Sequence, residues 1–293
     1  MRILVAGWHG QVAHALSERT ARRTDITAFA VGRPALDLTD NPSVGRSVFG
    51  IEPDVIINTA AFTDVDGAED QPMKAQRQNV IGAANLASDA ARREIPIIHL
   101  STAHVFDGEK TAPYCEDDDA RPLNSYGRSK LESERCVAAV NPRHVIVRTG
   151  WIFSPYGRNF VKSMLERAGD DGTIDVVADQ TGSPTYALHL ADALLDLAAG
   201  LVKRPDPTLF GIYHAASSGQ ASWYGVSQRV FEASQRLGGP VMQLRPISHQ
   251  QYPVGSARAN NACLDCDKLK RHFGITLPDW RDGVDDCVQR LLS

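Results

Sequence analysis

The opening thirteen residues restrict this chain more than any other stretch. Ile3-Leu4-Val5-Ala6 is a short apolar run, ended by Gly7-Trp8-His9-Gly10-Gln11-Val12-Ala13. From Val12 onward apolar side chains recur at helical spacing through Ala15 and Leu16. Strand, glycine turn and helix open a βαβ unit. Gly7 permits the tight turn. Gly10 lets the backbone approach a pyrophosphate, and Ala13 is small enough for close helix–strand packing. The helix N-terminus attracts the anion. The expectation is an α/β protein with a dinucleotide across the edge of a parallel sheet.

The later runs repeat the pattern. Ile26 to Val31 reads as a second strand, Asp54 to Asn58 as a third, Pro96 to Leu100 as a fourth and Val145 to Arg148 as a fifth. A long Ala-rich helix from Ala75 to Ala91 lies among them. Strands alternating with helices give a doubly wound parallel sheet of Rossmann type. Residues 1–150 complete that unit as an NAD(P)-binding domain. Residues 151–293 read as a smaller C-terminal α/β domain, mainly substrate-binding, in which the stretch near 209–215 returns to the sheet.

The second strand ends at Gly32-Arg33. No carboxylate stands there to repel a 2′-phosphate, and Arg33 is placed to pair with one. NADPH is the expected cofactor, with NADH still open. Leu36-Asp37-Leu38-Thr39-Asp40 follows as a loop, with an N-cap at Thr39 or Asp40. The small residues Thr59-Ala60-Ala61 after the third strand suit a cofactor lying across the sheet edge.

Two further places carry chemistry. The fourth strand ends in Ser101-Thr102, hydroxyls well placed to bind a carbonyl oxygen, followed by Ala103 and His104. Tyr126 and Lys130 then stand four apart in Ser125-Tyr126-Gly127-Arg128-Ser129-Lys130, on one face of a helix. A phenol titrates near pH 10. A neighbouring ammonium stabilises its anion, so the pair can pass a proton to or from a substrate oxygen. The expectation is that Lys130 lowers the pKa of Tyr126.

Composition narrows the class. Hydrophobic residues are 43%, charged residues 23%, the net charge is −4, and no Lys/Arg stripe occurs. Neither a nucleic-acid nor a membrane partner is expected. No run reaches the ~20 apolar residues of a membrane span, and Ile3–Ala6 is too short for a signal peptide. Five cysteines are too few, and odd in number, for a disulfide framework, so a cytoplasmic location is expected. Cys263-Leu264-Asp265-Cys266 lacks the second pair a zinc site needs, so no metal is expected.

Together these residues resemble the extended short-chain dehydrogenase/reductase family, and within it the dTDP-4-dehydrorhamnose reductases. The resemblance rests on Gly7-x-x-Gly10-Gln11-Val12, Leu36-Asp37-Leu38-Thr39-Asp40, Asn58-Thr59-Ala60-Ala61-Phe62-Thr63, Tyr126-Gly127-Arg128-Ser129-Lys130, Arg148-Thr149-Gly150-Trp151, Asp179-Gln180-x-Gly182-x-Pro184-Thr185, Ser222-Trp223-Tyr224 and Leu277-Pro278-x-Trp280. It spans nearly the whole chain. It implies that Gly7, Gly10, Gln11, Val12, Arg33, Asp37, Leu38, Ala60, Ala61, Phe62, Thr63, Leu100, Tyr126 and Lys130 line the cofactor. Thr102 would orient a keto oxygen that Tyr126 protonates. Thr102, Ala103, His104 and Trp151 would meet a nucleotide-sugar substrate. The implied reaction is reduction of the C4 ketone of a nucleotide-linked 4-keto-6-deoxy sugar, dTDP-4-dehydrorhamnose to dTDP-L-rhamnose, with a homodimer left open.

The chain also departs from the family. The fourth strand of these reductases typically continues Ser-Thr-Asp-Tyr, where this chain has Ala103 and His104. An Arg of the C-terminal segment is replaced by Cys263. Three alternatives stand beside the main reading: a related 4-ketoreductase, an epimerase acting on another nucleotide sugar, and a non-catalytic cofactor-binding regulatory subunit.

Overall fold

The computed structural model describes residues 1–168, 172–204, 206–252 and 255–293. Its central sheet contains β1 (Arg2–Ala6), β2 (Thr27–Val31), β3 (Val55–Asn58), β4 (Ile97–Thr102), β5 (His144–Thr149) and a sixth strand, Gly211–His214. From one edge the order is Gly211–His214, β5, β4, β3, β1, β2, with every pairing parallel. Strands buried on both faces need unbroken apolar runs. Ile3, Leu4, Val5 and Ala6 are accordingly all fully buried.

Alternate side chains of each strand serve opposite layers. Ile3, Val5, Ile57, Ile98, Val145 and Val147 pack in one layer with helix α1 (Gln11–Thr20) and the helix Ala187–Lys203. Leu4, Ala6, Ile56, Ile97 and Ile146 pack in the other with α2 (Asn41–Ile51) and the helix Gly82–Arg92. The expected doubly wound parallel sheet is therefore present. Between 187 and 214 the second half of the chain supplies a helix and an edge strand to this sheet.

The order reverses at β1, whose neighbours are β2 and β3. That switch opens a crevice at the strands' C-terminal ends, where such sheets bind ligands. Beyond the crevice, Thr173–Val177 pairs with Gln243–Ile247, and Thr181–Gly182 pairs with Ala221–Ser222 and Asn261–Ala262. The helices Phe160–Arg167, Trp223–Arg236 and Trp280–Leu292 pack around these short ladders. Among the described residues no helix is long and apolar enough to cross a membrane.

Candidate active site

The crevice at the β1/β3 switch is a cleft of about 330 Å³. Gly7, Gly10, Arg33, Leu38, Ala60, Ala61 and Thr63 line it, as do Trp8, His9 and Thr39. Gly7 adopts φ +107°, and a Cβ there would lie 2.7 Å from the Thr59 hydroxyl, so only glycine fits the turn. Gly10 caps α1 without a side-chain hydrogen bond, leaving the first-turn N–H groups free for an anion. Val12 is buried beneath that turn, and the Gln11 amide is held by Ser154 and Asn159. What Gln11 and Val12 present to the cleft is therefore backbone, because their side chains point into the protein.

The ribose end differs from the sequence reading. The strand end itself lacks a carboxylate, but the turn brings Asp37 back onto Arg33, with Nε–Oδ2 at 3.0 Å. Asp37 also accepts from the Thr39 N–H and hydroxyl. Burial acts to raise its pKa, but those two donors and Arg33 hold the carboxyl below its ordinary value. The Arg33 side chain stays 57% exposed at the cleft mouth, and a guanidinium has donors to spare for a phosphate. Glycine cradle, uncapped helix and free guanidinium face together fit an NADP-type dinucleotide.

The helix Ser125–Val140 carries Tyr126 and Lys130, and it is positioned from several sides. The Asn124 side chain accepts from the Gly127 N–H at 2.8 Å. Glu69 accepts from both the N–H and the hydroxyl of Ser125, each at 2.7 Å. A Cβ on Gly127 would run into the His104 carbonyl, so glycine allows the helix to close on the turn after β4. Asn79 sits on a π-helical turn, Arg77–Ile81. It bonds both the N–H and the carbonyl of Phe62, and donates to Ser129 on the Tyr126 helix. π-turns recur at functional sites, and this one ties the Ala61-Phe62-Thr63 loop to that helix.

Thr102, Tyr126 and Lys130 come together as buried neighbours. Burial pushes the Tyr126 phenol up to about 12, while its hydrogen bond to Thr102 pulls the other way. Lys130 is not among the groups acting on the phenol. Its ammonium donates to the Leu100 carbonyl at 2.7 Å. Burial pushes that ammonium down to about 8, opposed by Glu134 one turn on. The expected lowering of the phenol by Lys130 is therefore not found: burial raises the pKa, and the opposing pull comes from Thr102. Beneath Lys130, Glu134 pairs bidentately with Arg148, at 3.0 and 2.7 Å, and accepts from the Ser101 hydroxyl. A buried ion pair holds only with its remaining lone pairs satisfied, and Ser101 supplies that.

A second cavity, about 510 Å³, lies beside Tyr126. Ala103, His104, Gly150 and Trp151 form its near wall. Phe160, Met164, Trp223, His249, Tyr252 and Arg258 are among the residues of the far wall. Tyr126 packs against one residue from the loop beside the cleft and one from the cavity wall. It packs in one cluster with Phe62, and stands edge-on to His104 with ring centroids 5.6 Å apart. Burial and Arg258 push the His104 imidazole down to about 4, with Asp66 pulling up. Trp151 adopts φ +45°, a strained conformation for a bulky residue. Its indole stacks face to face on Trp223 at 3.6 Å, and Phe160 leans on Trp223 at 4.6 Å. The segment from Ser256 to Arg258 is tied down by Ser256–Asp66 at 2.6 Å, Arg258–Asp66 at 3.0 Å and Asn124–Ala257 carbonyl at 2.9 Å. Cys263 is buried beside Thr181, and it is Ala262 that faces the cavity.

The sequence reading gave Asn58, His99, Asn79, Glu134 and Trp223 no part in the site. A signal existed for Asn58 and His99: each is a polar residue inside an otherwise apolar strand, Val-Ile-Ile-Asn and Ile-Ile-His-Leu. Trp223 stands in the quoted Ser222-Trp223-Tyr224 stretch, whereas Asn79 and Glu134 carry no local mark.

Comparison with known proteins agrees with this geometry. The family model described as the RmlD substrate binding domain matches residues 1–293. A protein from Sinorhizobium fredii named dTDP-4-dehydrorhamnose reductase is 42% identical over 292 residues, covering 100% of this chain and 98% of that one. The crystal structure of a dTDP-4-dehydrorhamnose reductase from Clostridium acetobutylicum superposes with a TM-score of 0.90 at 31% identity, covering 100% of both chains. That of the Bacillus anthracis dTDP-4-dehydrorhamnose reductase in complex with NADP gives 0.89 at 30% identity, covering 99% of each. With its sheet, its cofactor cleft and its Thr102–Tyr126–Lys130 cluster in place, the chain belongs to the RmlD substrate binding domain family.

Proposed function

We propose that this protein is an NADPH-dependent reductase of a nucleotide-linked 4-keto-6-deoxy sugar, converting dTDP-4-dehydrorhamnose to dTDP-L-rhamnose. The observation that carries the reading is the buried Thr102–Tyr126–Lys130 cluster, whose Tyr126 packs on Phe62, within the Ala61-Phe62-Thr63 loop of the dinucleotide cleft, and edge-on to His104 of the aromatic cavity. Relatives that carry this activity in their name, one of them solved with NADP, support it.

NADPH supplies the hydride when bound. Gly7, Gly10, the first turn of α1, Leu38 and Ala60 to Thr63 would hold it, with Arg33 toward the 2′-phosphate. The remaining work falls to side chains. The Thr102 hydroxyl orients the keto oxygen. Tyr126 gives its proton to the alkoxide as it forms, a task suited to a phenol kept protonated by burial. Lys130 places a positive charge beneath the site and offers donors to the ribose. The stacked Trp151–Trp223 pair gives a flat apolar face for the nucleotide sugar. In this arrangement residues 1–150 hold the cofactor and residues 151–293 mainly the substrate, with 187–214 returned to the sheet. Ala103 and His104 would meet the sugar, at the two positions where the family resemblance implies an Asp and a Tyr. Free thiols suit a reducing cytoplasm, and a homodimer is the assembly proposed, which sedimentation tests.

The deciding measurement is NADPH oxidation with dTDP-4-dehydrorhamnose, beside dTDP-, GDP- and UDP-linked 4-keto sugars, the product being identified by NMR. Turnover of the rhamnose precursor with NADPH preferred over NADH is the expected result. No turnover of any 4-keto sugar sinks the reading.

A further inference from the structure

A chain of hydrogen bonds runs from the cofactor loop to Lys130 through residues so far given no part in the chemistry. The Ala60 N–H donates to Asn58 Oδ1 at 3.1 Å, which settles which way the amide points. Its nitrogen then faces His99 Nδ1 at 3.0 Å. An amide nitrogen only donates, so Nδ1 accepts and a neutral ring carries its proton on Nε2. The ring is neutral: burial and then Lys130 hold its pKa well below the ordinary value. His99 Nε2–H donates to the Ser133 hydroxyl at 2.6 Å and stands 3.3 Å from Lys130 Nζ. Two donors facing each other form no hydrogen bond. The ammonium turns instead to the carbonyl of the next residue, Leu100.

We propose that His99 is the positioning residue of Lys130: its Nε2–H, fixed by Asn58, keeps the ammonium off the sheet and on the Leu100 carbonyl. The remaining N–H groups of Lys130 are thereby left for the cofactor side. The functional value of this device rests on the reductase reading above. Its physical content does not. The other ionisable groups near Lys130 are Glu134 on its own helix, which Arg148 of β5 neutralises, and the Tyr126 phenol one turn back. From the helix that packs behind, the contact is the uncharged Asn79 on Ser129. His99 is thus the group on β4 able to bias both where the Lys130 proton sits and how readily it leaves. Because Ala60 belongs to the cofactor cleft, the loop that meets the dinucleotide also sets this tautomer.

The test reads the lysine directly. The chain has seven lysines, so labelling their Cε carbons gives a small spectrum in which Lys130→Arg identifies one signal. In the wild type that signal titrates near pH 8. His99→Leu removes the facing N–H, and the midpoint rises by about one pH unit. His99→Gln keeps an N–H near the same place and holds the midpoint down. Asn58→Asp makes Nδ1 the donor and Nε2 an acceptor for the ammonium, and its carboxylate acts in the same direction, so the midpoint again rises. The alkaline limb of kcat shifts with it in each variant. Unmoved midpoints in His99→Leu and Asn58→Asp overturn the proposal. So does a nitrogen-15 spectrum of wild-type protein with the His99 proton on Nδ1, a measurement that survives any variant failing to fold. Neither spectrum needs cofactor or sugar, so failure here is separable from failure to reduce a nucleotide sugar.

Discussion

The cofactor cleft and the cavity proposed for the sugar are built on opposite plans. The cleft is mostly backbone and small side chains: Gly7, Gly10, Ala60 and Ala61, drawn from turns directly after β1 and β3. The cavity is mostly large side chains, His104, Trp151, Trp223, Tyr252 and Arg258, gathered from distant parts of the chain. A dinucleotide's phosphates need only free N–H groups and room to approach, which a short motif can specify. A particular sugar needs shape and donors, which only converging segments can provide. The cleft is therefore intolerant of added bulk, and the cavity is sensitive to side-chain loss.

Variants can break this contrast. The largest effect is expected from Tyr126→Phe, because Tyr126 lines neither cavity and serves the proposed chemistry. The substitution lowers kcat roughly a thousandfold and leaves NADPH affinity, read from nicotinamide fluorescence, nearly unchanged. Next comes Gly7→Val, which adds bulk at a φ of +107° against Thr59. Strain of about 1–3 kcal/mol weakens NADPH by about a hundredfold, while calorimetric binding of dTDP to the cavity is retained. Trp223→Ala does the reverse. Loss of the stack, worth about 0.5–1.5 kcal/mol, raises KM for the nucleotide sugar roughly tenfold and spares KM for NADPH. Equal effects of Gly7→Val and Trp223→Ala on the two ligands would dissolve the distinction.

A last prediction concerns acid stability rather than either ligand. His104 is neutral in the folded protein down to about pH 4, whereas its unfolded counterpart takes up a proton near pH 6.5. The unfolded state binds more protons over that window, so the contribution of His104 is full above pH 6.5 and is lost as pH falls toward 4. Part of the ring faces the cavity, which reduces the loss to about 2 kcal/mol. Denaturant melts of His104→Gln should show a flatter acid limb than wild type, and an unchanged limb would mean that the cavity side of the ring is fully solvated.

The sequence read the sheet well for a specific reason. Ile3–Ala6 and Val55–Ile57 are buried on both faces, and that demand leaves unbroken apolar runs. The glycine turn was legible because its constraint is local to Gly7 and its neighbours. The Arg33 end was half legible. The strand end lacks a carboxylate, but Asp37 returns to Arg33 through a turn that no spacing rule foretells. The electrostatics of Tyr126 and Lys130 were not legible at all. Their spacing puts them on one helical face, but the shifts come from burial, from Thr102 across the β4 end and from Glu134.

What the amino-acid sequence determined by itself was the parallel sheet, the glycine turn after β1 and the placing of Tyr126 and Lys130 on one helical face. Each is written in contacts within about one turn or one strand. Tertiary structure alone decided what those residues experience. It set Lys130 against His99 on a neighbouring strand, laid Trp223 on Trp151, and closed Arg258 onto Asp66 beside His104. These partners are joined by the path of the whole chain, and burial, which sets their charges, is a property of the packed molecule.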